Sequence, residues 1–172
     1  MNKLTIGFLA FTLAYTGFAQ QIRKPTAEFV ITGRIKNPAL IIKSSQLLTY
    51  AVVNINNLTI TNHMGENRST IKTARGVRIK DVLELLQLDT DNPKNYSEYY
   101  FVFSATDNYK VVFSWNELFN SPLGDQAYFL IEKDGTPITQ LDEGIAILVP
   151  SDVQTGRRYV KNLAQIYVGR AE

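Results

Sequence analysis

Apolar and polar residues alternate in short runs along most of the chain, and Gly, Pro, Asn and Asp break the runs. A period of two of this kind predicts strands. Residues 28–36 (EFVITGRIK) place Phe29, Ile31 and Ile35 partly on one face, and Asn37-Pro38 ends the run. Residues 39–42 predict a second short strand. Ser44 or Ser45 then suits the cap of a brief helical turn carrying Leu47 and Leu48. Residues 50–61, rich in Val, Ile, Thr and Asn, predict a longer strand that runs into a polar loop over 62–68. From Ile79 the period changes: Ile79, Val82, Leu83 and Leu86 follow the i, i+3, i+4, i+7 spacing of an amphipathic helix.

Residues 89–97, with Asn92-Pro93, read as a loop. Strands over 99–104 and 110–113 flank Asp107-Asn108-Tyr109 and form a hairpin. Ser114 and Glu117 have capping-box spacing, which predicts a short helix to Phe119, ended by Pro122 and Gly124. A strand over 127–131 precedes Asp134-Gly135, a tight-turn pair. The apolar run 145–149 between Gly144 and Pro150 predicts a strand buried on both faces. A loop at Gly156 and a last strand over 163–168 complete the chain. Strands dominate, helices are short, and no regular strand–helix alternation exists. The class is therefore α+β with mixed β-sheets and a few short helices.

The first residues, MNKLTIGFLAFTLAYTGFAQ, follow another logic. A positive Lys3, an apolar stretch over 4–13 and the small residues Gly17 and Ala19 have the order of a secretory signal peptide. The expectation is export to the periplasm or the extracellular space, with cleavage after Ala19. Residues 1–19 are then the signal peptide and 20–172 a single domain with no membrane span.

Composition narrows the chemistry. The chain has no cysteine, so it has no thiolate for a metal or for redox work, and its single histidine, His63, cannot build a His/Cys zinc cluster. The formal charge of +2 falls to about +1 without Lys3, and no basic run argues for nucleic acid. Gly-x-Ser-x-Gly, phosphate-loop and calcium-loop patterns are absent. Asp142-Glu143 reads as a pair of solvated turn charges. The nine Tyr and nine Phe supply ring volume for a core.

Three stretches, taken together and in this order, carry a resemblance. They are Thr73-Ala74-Arg75 running through Gly76-Val77 to Asp81-Val82-Leu83, then Asp107-Asn108-Tyr109, and residues 134–168, DGTPITQLDEGIAILVPSDVQTGRRYVKNLAQIYV. The chain resembles the molybdopterin-binding domain of the sulfite oxidase family over about residues 28–168. The resemblance implies a sulfite oxidase-type molybdopterin-binding-domain fold and, in the family, molybdopterin as cofactor. It also marks where the chain departs. The loop that carries the family's molybdenum-ligating cysteine corresponds to Asn62-His63-Met64-Gly65, with His63 near the cysteine's place. In the Gly-x-Pro-x-Arg strand Gly144 matches, but Ala146 replaces Pro and Leu148 replaces the phosphate-binding Arg. Glu143 stands where the family has a cofactor-binding His or Asn, and a carboxylate there repels phosphate. Lys161 matches the family's Val-Lys, and Arg75 matches a motif residue.

The candidate ligand-binding residues are accordingly Gly156, Arg157, Arg158 and Lys161, a glycine followed by cations, together with His63 and Arg75. No catalytic or metal-ligating residue is assigned. The leading expectation is an exported, non-catalytic binding or accessory module for a pterin-like or other small anionic ligand. A second reading is a molybdopterin-dependent oxidoreductase working without a cysteine ligand. A third is a structural domain of the cell envelope that binds a protein partner.

Overall fold

The computed structural model of the protein describes residues 24–171. The expected signal peptide and cleavage position lie outside them. Two five-stranded sheets organise the chain. The first has strand order β2-β1-β10-β5-β6, built from β1 (Glu28–Gly33), β2 (Leu40–Lys43), β5 (Tyr99–Ala105), β6 (Lys110–Ser114) and β10 (Leu163–Arg170). It is mixed: β1 runs parallel to β10, and its other pairs are antiparallel. The second has the order β3-β4-β7-β8, with β9 also paired to β7. Its strands are β3 (Val52–Thr61), β4 (Asn67–Arg78), β7 (Tyr128–Lys133), β8 (Thr136–Pro137) and β9 (Ile147–Leu148). The helices α1 (Ser44–Leu47), α2 (Ile79–Leu83) and α3 (Trp115–Phe119) are each about one turn. The architecture is α+β with mixed sheets.

The period-two pattern sets the sheet faces. In β5 every second residue from Tyr99 to Ala105 is buried, so Phe101 and Phe103 face inward. The larger core lies between the sheets, where Phe29 of β1 stacks on Phe129 of β7 with centroids 5.4 Å apart. Phe103 is fully buried beside Phe113, and truncating either to Ala costs about 3–5 kcal/mol. A smaller core covers the other face of the second sheet and holds Ile55, Ile71, Leu130, Leu148 and Tyr159.

Residues 145–149 serve both cores. Ile145, Ile147 and Val149 enter the larger one, and Ala146 and Leu148 the smaller. Burial on both faces agrees with the sequence, although the ladder itself is only the two residues of β9. The remaining backbone groups find other partners. Ile145 N–H donates to the Thr26 carbonyl, Leu163 N–H donates to the Ile145 carbonyl, and Ile147 and Val160 exchange a reciprocal pair.

Other boundaries differ from the sequence expectation. β4 begins at Asn67, inside the expected loop, because its first four residues are exposed on both sides and give no alternation. α2 stops at Leu83: the Gln87 carbonyl is taken by Lys36 N–H, and Leu88 bridges Ile35. The cap of α1 is Lys43, whose N–H donates to Gln46 Oε1, and Ser44 is already inside the helix. The Ser114–Glu117 capping box is present as read, with Glu117 N–H donating to Ser114 Oγ and Ser114 N–H to Glu117 Oε2.

Candidate functional site

Three loops meet at one end of the sheets, and hydrogen bonds hold them there. The turn over 62–66 after β3 is wound around Asn62, whose Oδ1 accepts from the N–H groups of Met64 and Glu66. The 3₁₀ turn Thr155–Arg158 is fastened to the end of β3 by Thr155, a buried polar side chain. Its hydroxyl donates to the Thr59 carbonyl at 2.6 Å and accepts from Thr61 N–H at 3.0 Å. Gly156 allows the approach, since a Cβ there would lie 2.0 Å from the Thr61 carbonyl oxygen. The tip of the β5–β6 hairpin completes the ring. Asn108 takes a positive φ of 67°, and the Tyr109 hydroxyl donates to the Arg157 carbonyl at 2.5 Å.

The loops enclose a cleft of about 460 Å³ whose lining includes His63, Asp107, Gly156, Arg157, Tyr159 and Lys161, with Tyr109 beside them. Four of the six residues proposed from sequence are thus brought together: His63, Gly156, Arg157 and Lys161. Arg157 is positioned by neutral acceptors. Its Nε donates to Gln154 Oε1 at 3.1 Å and its Nη2 to the His63 carbonyl at 3.4 Å. Among the described residues its guanidinium meets no carboxylate within salt-bridge reach. His63 is exposed and contributes its backbone carbonyl.

The other cations are engaged. Arg158 turns away from the cleft and lies mostly buried over the Phe113 ring, 4.9 Å from its centroid. It forms a fork with Asp152, through Nε at 2.7 Å and Nη2 at 2.5 Å, and its Nη1 reaches Glu117 at 3.0 Å. The Asp152 hydrogen bond outweighs burial and raises the guanidinium pKa above its ordinary value. Arg75 stands on β4 opposite Glu132 of β7, 3.2 Å away, and is not a lining residue of the cleft.

Glu143 departs most from its sequence reading as a solvated turn charge. Its side chain is 10% exposed. The carboxylate accepts from Lys133 Nζ at 2.7 Å and the Tyr159 hydroxyl at 2.5 Å, and pairs with Lys161 Nζ at 2.9 Å. Burial by itself pushes the carboxyl up. The hydrogen bonds from Lys133, Tyr159 and Lys161 together outweigh it and hold the carboxyl below its ordinary range. Burial and the Glu143 charge push the Tyr159 hydroxyl far up, so it stays protonated and donating. The two ammonium groups also lie over the Tyr159 ring, Lys161 at 4.7 Å and Lys133 at 5.7 Å.

Tyr109, Tyr159 and Thr155 belong to the site and were not singled out as site residues from the sequence. For Tyr159 a usable signal exists. It precedes Lys161 by two, around the buried Val160, and residues two apart in extended chain share a face.

Among the described residues no group of three or more His, Cys, Asp or Glu is placed to hold a metal ion, and no helix is long and apolar enough to cross a membrane. No protein-family model matches this chain. No curated protein matches it. Among solved structures it is similar to the sulfane dehydrogenase SoxCD from Paracoccus pantotrophus, with a TM-score of 0.57 at 11% identity. The likeness covers 82% of this chain and 37% of that one, so this chain spans little more than a third of the length of its neighbour. At that identity the likeness shows the fold alone, and the fold is the sulfite oxidase-type α+β architecture that the sequence resemblance implied.

Proposed function

We propose that this protein is an exported, non-catalytic module that holds a small anionic ligand in the cleft between the 62–66 turn, the hairpin tip and the Thr155–Arg158 turn. The observation that carries this reading is Arg157. Its guanidinium is exposed at the cleft wall and oriented there by two neutral acceptors, in a lining that also holds one carboxylate, Asp107. Arg binds oxyanions well because its donors are arranged in a planar fork, and an anion seated beside Arg157 would use it. The tyrosines at positions 109 and 159 give the cleft ring faces, which suits a planar group carrying the charge.

The residues present do not fit a molybdenum-bearing pterin. The turn at the family's cysteine position offers one exposed histidine and Met64, which is 68% exposed, and no thiolate. Leu148, in the place of the phosphate-binding arginine, is packed in the smaller core and has no donor. Glu143 is charged and occupies Lys161, the cation that the resemblance assigns to the cofactor. This donor set disfavours the oxidoreductase reading and leaves anion binding supported by Arg157.

Calorimetric titration with phosphate, sulfate and a pterin phosphate tests the reading. The expected result is saturable binding of at least one of them. It weakens roughly tenfold or more in Arg157→Gln, as loss of one charge-assisted hydrogen bond implies. Lys161→Ala has a smaller effect, because Glu143 already holds that ammonium. The absence of heat with all three anions overturns the proposal in favour of a structural or partner-binding envelope domain. Export is tested separately: N-terminal sequencing of protein from the exported fraction should begin at Gln20, and an intact Met1 in that fraction overturns it.

A further inference from the structure

The two ends of the β5–β6 hairpin differ in chemistry. Ala105, Asp107 and Tyr109 line the cleft that holds Arg157. Four residues back along β5, about 13 Å of extended strand, Phe101 lines a second cavity of about 380 Å³. Its wall carries three more rings, Tyr96, Trp115 and Phe119, and the leucines at 86 and 88. All five of these are partly buried, and none of them closes the cavity. The rings hold one another in place. Trp115 stacks on Phe119 with centroids 5.5 Å apart and meets Tyr96 at 5.3 Å, and Phe119 meets Phe101 at 6.0 Å. Their backbones are pinned as well. Trp115 is the first residue of the capped helix α3, and Tyr96 lies in the 3₁₀ turn Pro93–Glu98, where the Asn92 side chain accepts from Lys94 N–H. Such a wall is organised before any ligand arrives, so little ordering opposes binding.

The rim decides the ligand's charge. Lys36 and Asp91 neutralise each other in an ion pair, and Glu84 adds a further carboxylate, which gives the rim one more negative than positive charge. Anions, which suit Arg157 at the other end of the hairpin, are repelled here. A volume in the range of small-molecule sites, a ring-lined wall and a few polar groups at the mouth fit a planar molecule without negative charge. We infer that this cavity is a second binding site, independent of the Arg157 cleft, for a small aromatic molecule that carries no negative charge.

The chain has one tryptophan, so the indole N–H of Trp115 gives a single resonance that reports on this cavity alone. The test titrates naphthalen-2-ol and naphthalene-2-sulfonate separately into the full-length isotope-labelled protein. The expected result is a saturable shift of the Trp115 indole signal with the alcohol, at least roughly tenfold tighter than with the sulfonate. The Gly156 and Arg157 amides should not move with the alcohol. Leu86→Glu, which adds a charge to the wall, should weaken the alcohol roughly tenfold or more. Phe119→Leu, which keeps an apolar wall but removes the stacked ring, gives the same reading if Leu86→Glu does not fold. A shift that never saturates, equal affinity for alcohol and sulfonate, or unchanged affinity in the folded variants overturns the inference.

Discussion

Lys161 Nζ lies 2.9 Å from the carboxylate of Glu143, which compensates that ammonium at the edge of the cleft. The same carboxylate takes Lys133 and the Tyr159 hydroxyl, so two ammonium groups and one phenol converge on one mostly buried acid. Lys161 therefore lines the cleft as a compensated charge, whereas Arg157 is held there by neutral acceptors.

Glu143→Gln keeps an acceptor oxygen but removes the negative charge that pairs with both lysines, and should cost about 2 kcal/mol at pH 7, the order expected for hydrogen bonds to a charged group. The pH dependence follows from the sign of the shift. The folded-state pKa of Glu143 is depressed, so its stabilising effect is present above the unfolded value of about 4.3. It fades as pH falls below that value and is gone once pH passes the lower folded value. Urea titrations from pH 7 to pH 3 should show a steeper acid loss in the wild type than in Glu143→Gln. Parallel curves would mean that another carboxylate dominates.

Tyr159→Phe keeps the ring in the smaller core and beneath Lys161 but removes the hydroxyl from Glu143 and Lys133. The expected loss is about 1–2 kcal/mol. In a cycle with Glu143→Gln the two losses should fail to add by about 0.5 kcal/mol or more, because both changes break the same contact. Chemical denaturation of the four proteins measures it.

Thr155→Val preserves shape and removes the hydroxyl that serves both Thr59 and Thr61. Two strand-end backbone groups then lose their partner, which should cost about 1–3 kcal/mol. Amide exchange locates the effect: the Thr61 N–H should lose protection more than the N–H groups in the middle of β3.

Gly156→Ala drives a methyl against the Thr61 carbonyl oxygen, a backbone atom that cannot rotate aside. Overpacking of this kind costs about 1–3 kcal/mol, and relief requires the Thr155–Arg158 turn to move off β3. Anion binding should weaken along with stability, since Arg157 moves with the turn. Gly135→Ala is the contrast. Nothing lies near the added methyl there, so only the strain of its φ of 80° is felt, and anion binding should be unchanged.

What the sequence disclosed follows the reach of each interaction. Strand faces were legible because alternation is local: Phe29 and Ile31 read as one face of β1, and both are buried. The start of β4 was not, because Asn67, Arg68, Ser69 and Thr70 are all exposed and polar, and the ladder to β3 alone makes them a strand. Convergence of His63 with Gly156 and Arg157 was legible only through the order of the motifs. The diversion of Arg158 was not read, since it depends on a fork to Asp152 and on Glu117, 41 positions away. Glu143 was misread as solvated for the same reason: Lys133 and Tyr159 come to it from ten and sixteen positions away on either side.

Residues 145–149 thread the two cores together, with odd positions in one and even positions in the other. A seam of this kind has mechanical and kinetic meaning. The smaller core cannot loosen by itself, because freeing Leu148 drags Ile147 and Val149 out of the larger one. The smaller core and the larger therefore melt as one cooperative unit rather than as separate foldons. The seam also joins distant parts of the chain, since the Ile145 N–H is held by Thr26, 119 positions earlier. Closing that contact is a late, entropically costly event, so this small protein should fold slowly for its size, in the range of non-local β-rich domains.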